Sequence, residues 1–426
     1  HKTLLLFFSL HMDSKQHVLI IGKVWPEPSS SAAGSRTLQL ADLFIAQHWQ
    51  VSFACAAGTS EFSTDLRHLG IQTFNIELNH SGFDSFIKSL NPSIVLFDRF
   101  TTEEQFGWRV ADFCPTAMRI LDTIDLHCLR AARHLALKEN RDFEWKDLVN
   151  DVAKRELASI YRCDLSLMIS EVEIDILRTY FRVDNSLLHY TPFLPEPITQ
   201  AEKAQWPDYA TRAHFVTIGN FLHEPNWDSV LYLKQNIWPL VRKQLPKAEL
   251  HVYGSYPSQK VFQLHHPKDG FIIKGRAESA KEVMLNARLC LAPLRFGAGM
   301  KGKLLDAMLS GTPSVTTPTG AESMHGNLPW NGAVANTQEE LAQAAVNLYT
   351  NKYLWQQAQE HGVTIIRDHF SKEEHEKKLI RTIFNIQNSF KEHRLNNFTG
   401  AMLMHHQMTG TKYMALWIEA KNKLNQ

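Results

Sequence analysis

The feature that most constrains this chain is a unit that recurs along it: a short continuous apolar run, a loop, then a stretch with helical periodicity. Such runs fall at 17–22, 51–56, 71–76, 94–97, 118–121, 165–169 and 187–190, and again at 215–218, 250–253, 271–273, 289–294 and 314–317. Runs that are apolar at every position, rather than at alternate ones, suit strands buried on both faces. Alternation of such strands with helices predicts parallel sheets covered by helices on each side.

A polar interval with Pro192, Pro195, Pro197 and Pro207 interrupts the alternation once. At 426 residues the chain is too long for one ordinary domain. We therefore expect a first α/β domain over 13–195, a linker over 196–212 and a second α/β domain over 213–390. A helical segment over 391–426, with its last helix at 412–424, returns to cover the first domain. Residues 1–12 read as a vector-derived tail, because His11-Met12 resembles a cloning junction and the apolar run 4–8 is too short to span a bilayer.

Composition narrows the partners. Lys plus Arg number 45 and Asp plus Glu 44, so no global field recruits nucleic acid or an anionic membrane. The charged stretch 129–162 matches its bases with acids and reads as a solvated helix, leaving at most peripheral membrane contact. Five scattered cysteines without CxxC spacing read as reduced thiols in a cytoplasmic protein.

In parallel sheets ligands sit beyond the carboxyl ends of the strands. In the first domain this rule promotes Gly22 and Lys23, Asp98 and Arg99 with Glu103 and Glu104, Asp122, Asp125 and His127, and Ser170. His127 is a candidate proton donor, base or hydroxyl partner. Glu103 and Glu104 more simply open a helix, and Ser170 with Glu173 form a capping box. Gly34, Ser35 and Arg36 open the first helix, where they either point amides and a guanidinium at the cleft or serve as an ordinary cap.

In the second domain nearly every strand exit carries glycine: Gly219-Asn220, Gly254-Ser255, Gly275-Arg276, the loop with Gly297 and Gly299, and Gly320. The stretch PLRFGAGMKGKLLDAMLSGTPSVTTPTG is unusual in its charge. Arg295, Lys301 and Lys303 crowd the loop and first turn of a helix expected at 300–309, the end that already bears partial positive charge. Cations there repel the helix unless an anion sits among them, so the stretch reads as a phosphate or diphosphate site.

That stretch resembles the donor-binding signature of glycosyltransferase family 4, and IGN with HEPN echoes the opening of that family's second domain. The resemblance implies the GT-B architecture of two facing Rossmann-like domains. It also implies transfer of a sugar from a nucleotide-diphosphate sugar, with retention of configuration, to a glycan, lipid or protein acceptor. Arg295 and Lys303 would bind the donor diphosphate beside Lys301, Gly219, Asn220 and Arg276, and Gly297 and Gly299 would let backbone approach it. Asp306 would stand for the family's ribose-binding glutamate, although it could equally pair with Lys303 one turn back. Ala298 replaces the other motif glutamate. His127 falls where the family often places a polar residue near the sugar. No DxD pair offers a metal site, so we expect no metal and no cofactor beyond the sugar nucleotide. A nucleotide-sugar epimerase and a non-catalytic binding subunit are the competing readings.

Overall fold

In the computed structural model, which describes residues 16–424, strands β1 (His17–Gly22), β2 (Gln50–Cys55), β3 (Gln72–Asn75), β4 (Ile94–Asp98), β5 (Met118–Asp122), β6 (Leu165–Met168) and β7 (Leu188–Tyr190) form one sheet. The stretch 1–12 lies outside the described residues. The sheet runs β3-β2-β1-β4-β5-β6-β7 and is parallel throughout. The second sheet is also parallel, in the order β10-β9-β8-β11-β12-β13. Its strands are β8 (Ala213–Ile218), β9 (Leu250–Tyr253), β10 (Phe271–Gly275), β11 (Ala287–Ala292), β12 (Ser314–Thr316) and β13 (Gly332–Val334).

The apolar runs become strands because both faces need covering. On β1, Val18 and Ile20 join one buried cluster and Leu19 and Ile21 another, on opposite faces of the pleat. Both sheets reverse their order at their first strand, between β1 and β4 and between β8 and β11. Connections diverge there and open a crevice at the carboxyl ends.

The Lys372–Asn388 helix carries Leu379, Ile383 and Ile386 into the core of the first domain, so the return crossing starts before residue 390. The last helix, Phe398–Leu424, lies on the Phe100–Phe113 and Asp151–Arg162 helices. Lys412 pairs there with Asp112 at 2.5 Å, and the Tyr161 carbonyl accepts from Asn397 Nδ2 at 2.7 Å. The stretch 129–162 is two helices, His127–Lys138 and Asp151–Arg162, rather than one. All five cysteines are free and buried. Among the described residues, no helix is long and apolar enough to cross a membrane.

Candidate active site

The carboxyl ends of the two sheets face each other across a cleft of about 870 Å³. On the second-domain wall the Gly302–Leu309 helix aims its amino terminus into this cleft. Its N-cap is Lys301, no side chain caps it, and no acid lies in its first turn. The helix dipole is thus left open to an anion from outside. Lys301 is buried and turns its Nζ to the Ala298 carbonyl at 3.2 Å and to that of Gly299. Lys303 directs its Nζ to Asn226 Oδ1, 2.7 Å away, and not to Asp306 one turn on. Burial pushes the Lys303 ammonium down to about 8 and the Asp306 carboxyl up to about 7. Gly219 and Asn220 line the same wall. A Cβ on Gly219 would stand 2.7 Å from the Asn226 amide, so glycine here lets Asn226 reach Lys303.

Two expected ligands on this domain lie elsewhere. Arg295 follows β11 but does not line the cleft. Its guanidinium pairs with Asp228 and lies 4.9 Å over the Tyr232 ring, where it neutralises a neighbouring helix. Arg276 stands at the rim, 2.9 Å from Ser29 Oγ of the first domain and 3.9 Å over Phe62.

The glycine loop serves the domain junction as well as the cleft. Gly299, at φ 63, donates its amide to Glu173 Oε1 at 2.7 Å, and a Cβ there would meet Asp125 Cβ at 2.8 Å. Gly297 lends its carbonyl to Arg133 at 2.9 Å, and Arg133 also grips Glu322 at 2.8 Å. Between these glycines Ala298 packs into the first domain's apolar cluster.

His127 opens its helix on the opposite wall, with its side chain 17% exposed to the cleft. Its Nδ1 faces the Asp125 carbonyl at 3.0 Å and Glu156 Oε1 at 3.1 Å, which leaves Nε2 as the ring nitrogen free for a ligand. Arg36 reaches the cleft lining but is 1% exposed and committed to Asp122 at 2.8 Å and to the Thr191 carbonyl at 2.7 Å. Gly34 does not line the cleft: its amide is capped by Ser31 Oγ at 3.1 Å, and a Cβ there would strike the Glu27 backbone. Both residues therefore support the first domain. Among the described residues, no group of three or more His, Cys, Asp or Glu side chains is placed to hold a metal ion.

A profile of the family described as glycosyl transferases group 1 matches residues 212–351, the domain that carries the open helix terminus. The second domain thus resembles that group, and the chain as a whole has the GT-B fold. Solved structures share the whole fold at low identity. Sucrose-phosphate synthase from Thermosynechococcus elongatus has a TM-score of 0.64 and 14% identity over 87% of this chain and 99% of that one. HepE of Anabaena, in complex with UDP and glucose, scores 0.61 at 12% identity over 87% of this chain and 100% of that one. A variant of TarM from S. aureus, in complex with fondaparinux, alpha-GlcNAc-glycerol and UDP, scores 0.55 at 16% identity over 72% of this chain and 58% of that one. No match to a curated protein reaches significance.

One residue behind the cleft has a role that its local pattern hides. Ser170 Oγ does accept the Glu173 amide at 3.4 Å, but the Glu173 carboxylate makes no return bond. Its Oε1 bridges the Leu126 and Gly299 amides at 2.8 and 2.7 Å, tying the turn before His127 to the glycine loop of the other domain. Burial, then the Asp125 carboxylate, push the Glu173 carboxyl up to about 8. Its place just beyond β6 was the available signal, and the capping pattern masked it.

Proposed function

We propose that the chain transfers a sugar from a nucleotide-diphosphate sugar to an acceptor seated on the first domain, with retention of configuration and without a metal ion. The observation that carries this reading is the uncapped amino terminus of the Gly302–Leu309 helix, with Lys301 and Lys303 in the cleft beside it and no acid in its first turn. Breaking the bond from the anomeric carbon to the diphosphate leaves negative charge on the leaving group. Fixed donors aimed at that charge stabilise it as it develops, and one such interaction is commonly worth about 3 to 4 kcal/mol. Arg295 drops out of this role, so the two lysines and the helix amides carry it. Asp306 would hold ribose hydroxyls, and His127 would turn its Nε2 toward the transferred sugar.

UDP-sugars head the donor panel, because the HepE and TarM complexes contain UDP. The test is release of nucleoside diphosphate from a panel of UDP-, GDP- and ADP-sugars, with the product anomer read by NMR. Retention predicts an α-glycoside from an α-donor, and a chelator should leave turnover unchanged. Conversion of the donor to an epimer, with no nucleotide released, would replace this reading with the epimerase. Tight nucleotide binding without turnover across an acceptor panel would replace it with a binding subunit.

A further inference from the structure

The first-domain wall has a cationic corner that lies across the cleft from the proposed diphosphate site. Lys23 follows β1, Arg99 follows β4, and Arg130 lies one turn into the helix after β5, so three neighbouring strand ends each deliver a cation to the cleft lining. The order of the sheet reverses between β1 and β4, the place where parallel sheets hold ligands.

The carboxylates around this corner are already engaged. Asp125 pairs with Arg130, Glu104 with Arg155 at 2.6 Å, and Asp122 with Arg36 at 2.8 Å. Glu156 accepts from the His127 and Cys128 amides at 2.9 and 3.0 Å. Asp98 is the partial exception: its Oδ2 accepts from the backbone amide of Lys23 at 3.1 Å and stands 3.5 Å from the Arg99 guanidinium, a long contact, while its buried Oδ1 has no hydrogen-bond partner among the described residues. The Lys23 ammonium itself has no carboxylate within ion-pair distance among the described residues. Partial burial in the cleft, and then the Arg99 guanidinium, lower its pKa, and the Asp98 carboxylate offsets them only in part.

Two further observations point to a ligand. Arg99 is held at φ 73 and ψ 156, a region that glycine enters freely and a residue with a Cβ does not. The Arg99 amide bonds to the Asp122 carbonyl at 2.9 Å and keeps it there. Such strain tends to persist where the side chain has a task that depends on its position. Ser30, on the loop between β1 and the Ala32–Ala46 helix, is 7% exposed and lines the same cleft, and its Oγ has no hydrogen-bond partner among the described residues.

We propose that this corner holds an anionic group, a phosphate or a carboxylate, carried by the acceptor near the hydroxyl that receives the sugar. The proposal rests on the reading of the opposite wall as the donor site, since that site supplies its own cations for the diphosphate. An acceptor so marked must come from a reaction that installs a phosphate or an acid on a sugar-like or alcohol-bearing molecule.

The test is calorimetry on the full chain, first saturated with UDP and then titrated with inorganic phosphate, and separately with glucuronate. Phosphate or glucuronate should bind the nucleotide-saturated chain, and Lys23→Ala should weaken that binding at least tenfold. Arg99→Gln should do the same, with folding of each variant checked by its thermal transition. Failure of both anions to bind, or equal binding in wild type and both variants, overturns the proposal. UDP-glucuronate compared with UDP-glucose locates the charge: a preference for the uronate donor that Lys23→Ala abolishes would place the anion on the donor and overturn the acceptor assignment. If no nucleotide binds, the donor reading fails before phosphate is added. The same titration on the unliganded chain then decides the corner, with Lys303→Ala as the control for phosphate at the other wall.

Discussion

Two helix amino termini meet across the cleft, and their difference locates the chemistry. The Ala32–Ala46 helix of the first domain and the Gly302–Leu309 helix of the second approach so closely that a Cβ on Gly302 would stand 2.5 Å from that of Ala32. The first terminus is satisfied from within: Ser31 caps it at the Gly34 amide, and its nearby cation, Arg36, is neutralised by Asp122. The second has no side-chain cap, and its cations bond to neutral oxygens. Two ends of the same dipole sign would repel each other when dry, and an anion between them relieves both. The comparison teaches that a cation at a helix terminus indicates a ligand only when the fold supplies no carboxylate for it.

Substituting the cation at each terminus should break this comparison most sharply. Arg36→Ala leaves Asp122 buried without its partner, and loss of one member of a buried pair costs about 3 to 5 kcal/mol. Chemical denaturation should show that loss as a lowered midpoint. Lys303→Ala should leave the midpoint near wild type and lower the specificity constant for transfer by about 10² to 10³, the usual scale for one charge-stabilising donor. Equal losses of fold in both variants would mean that Lys303, like Arg36, is structural.

The pH dependence sharpens the same contrast. With the Lys303 ammonium pushed down to about 8 by burial, the unliganded chain loses this cation as pH rises through that value. Affinity for a nucleoside diphosphate should be steady below it and fall above it, by up to about tenfold per pH unit. Lys303→Arg, which stays charged, should move the fall to higher pH. A profile that is flat from pH 7 to 9.5 in the wild type would remove Lys303 from the site.

A smaller effect comes from the contact between the termini. Gly302→Ala sets a methyl against Ala32, so the helix ends must separate by about 1 Å, at a cost of about 1 to 3 kcal/mol. The thermal transition should fall accordingly, and nucleotide affinity should fall with it if the gap between the termini is the anion's seat.

The strands were legible because a parallel strand buried on both faces needs an unbroken apolar run, and such runs are visible without partners. The strand that escaped reading, β13 at Gly332–Val334, lies at the edge of its sheet and needs only a few small residues. The open helix terminus was legible for the same local reason, since Lys301, Lys303 and the glycines lie within one short stretch. What was not legible depends on partners far away in sequence. Arg36 finds Asp122 86 residues on, and Glu173 finds Gly299 126 residues on. No local pattern distinguishes these residues from a cleft guanidinium or a helix cap.

Arg295 is the same lesson at lower energy, and its substitution makes the smallest prediction. It leaves β11 beside the glycine loop, yet it turns to Asp228, 67 residues back, and its side chain is 38% exposed. An ion pair this open to solvent contributes up to about 1 kcal/mol, because water and salt screen it and two long side chains must be held still. Arg295→Ala should therefore shift the denaturation midpoint slightly, by less in high salt, and change nucleotide affinity by no more than about twofold. A loss of affinity near that of Lys303→Ala would show that Arg295 leaves Asp228 for the diphosphate when the donor binds. The pair would then be a resting position, and the second terminus would hold three working cations instead of two.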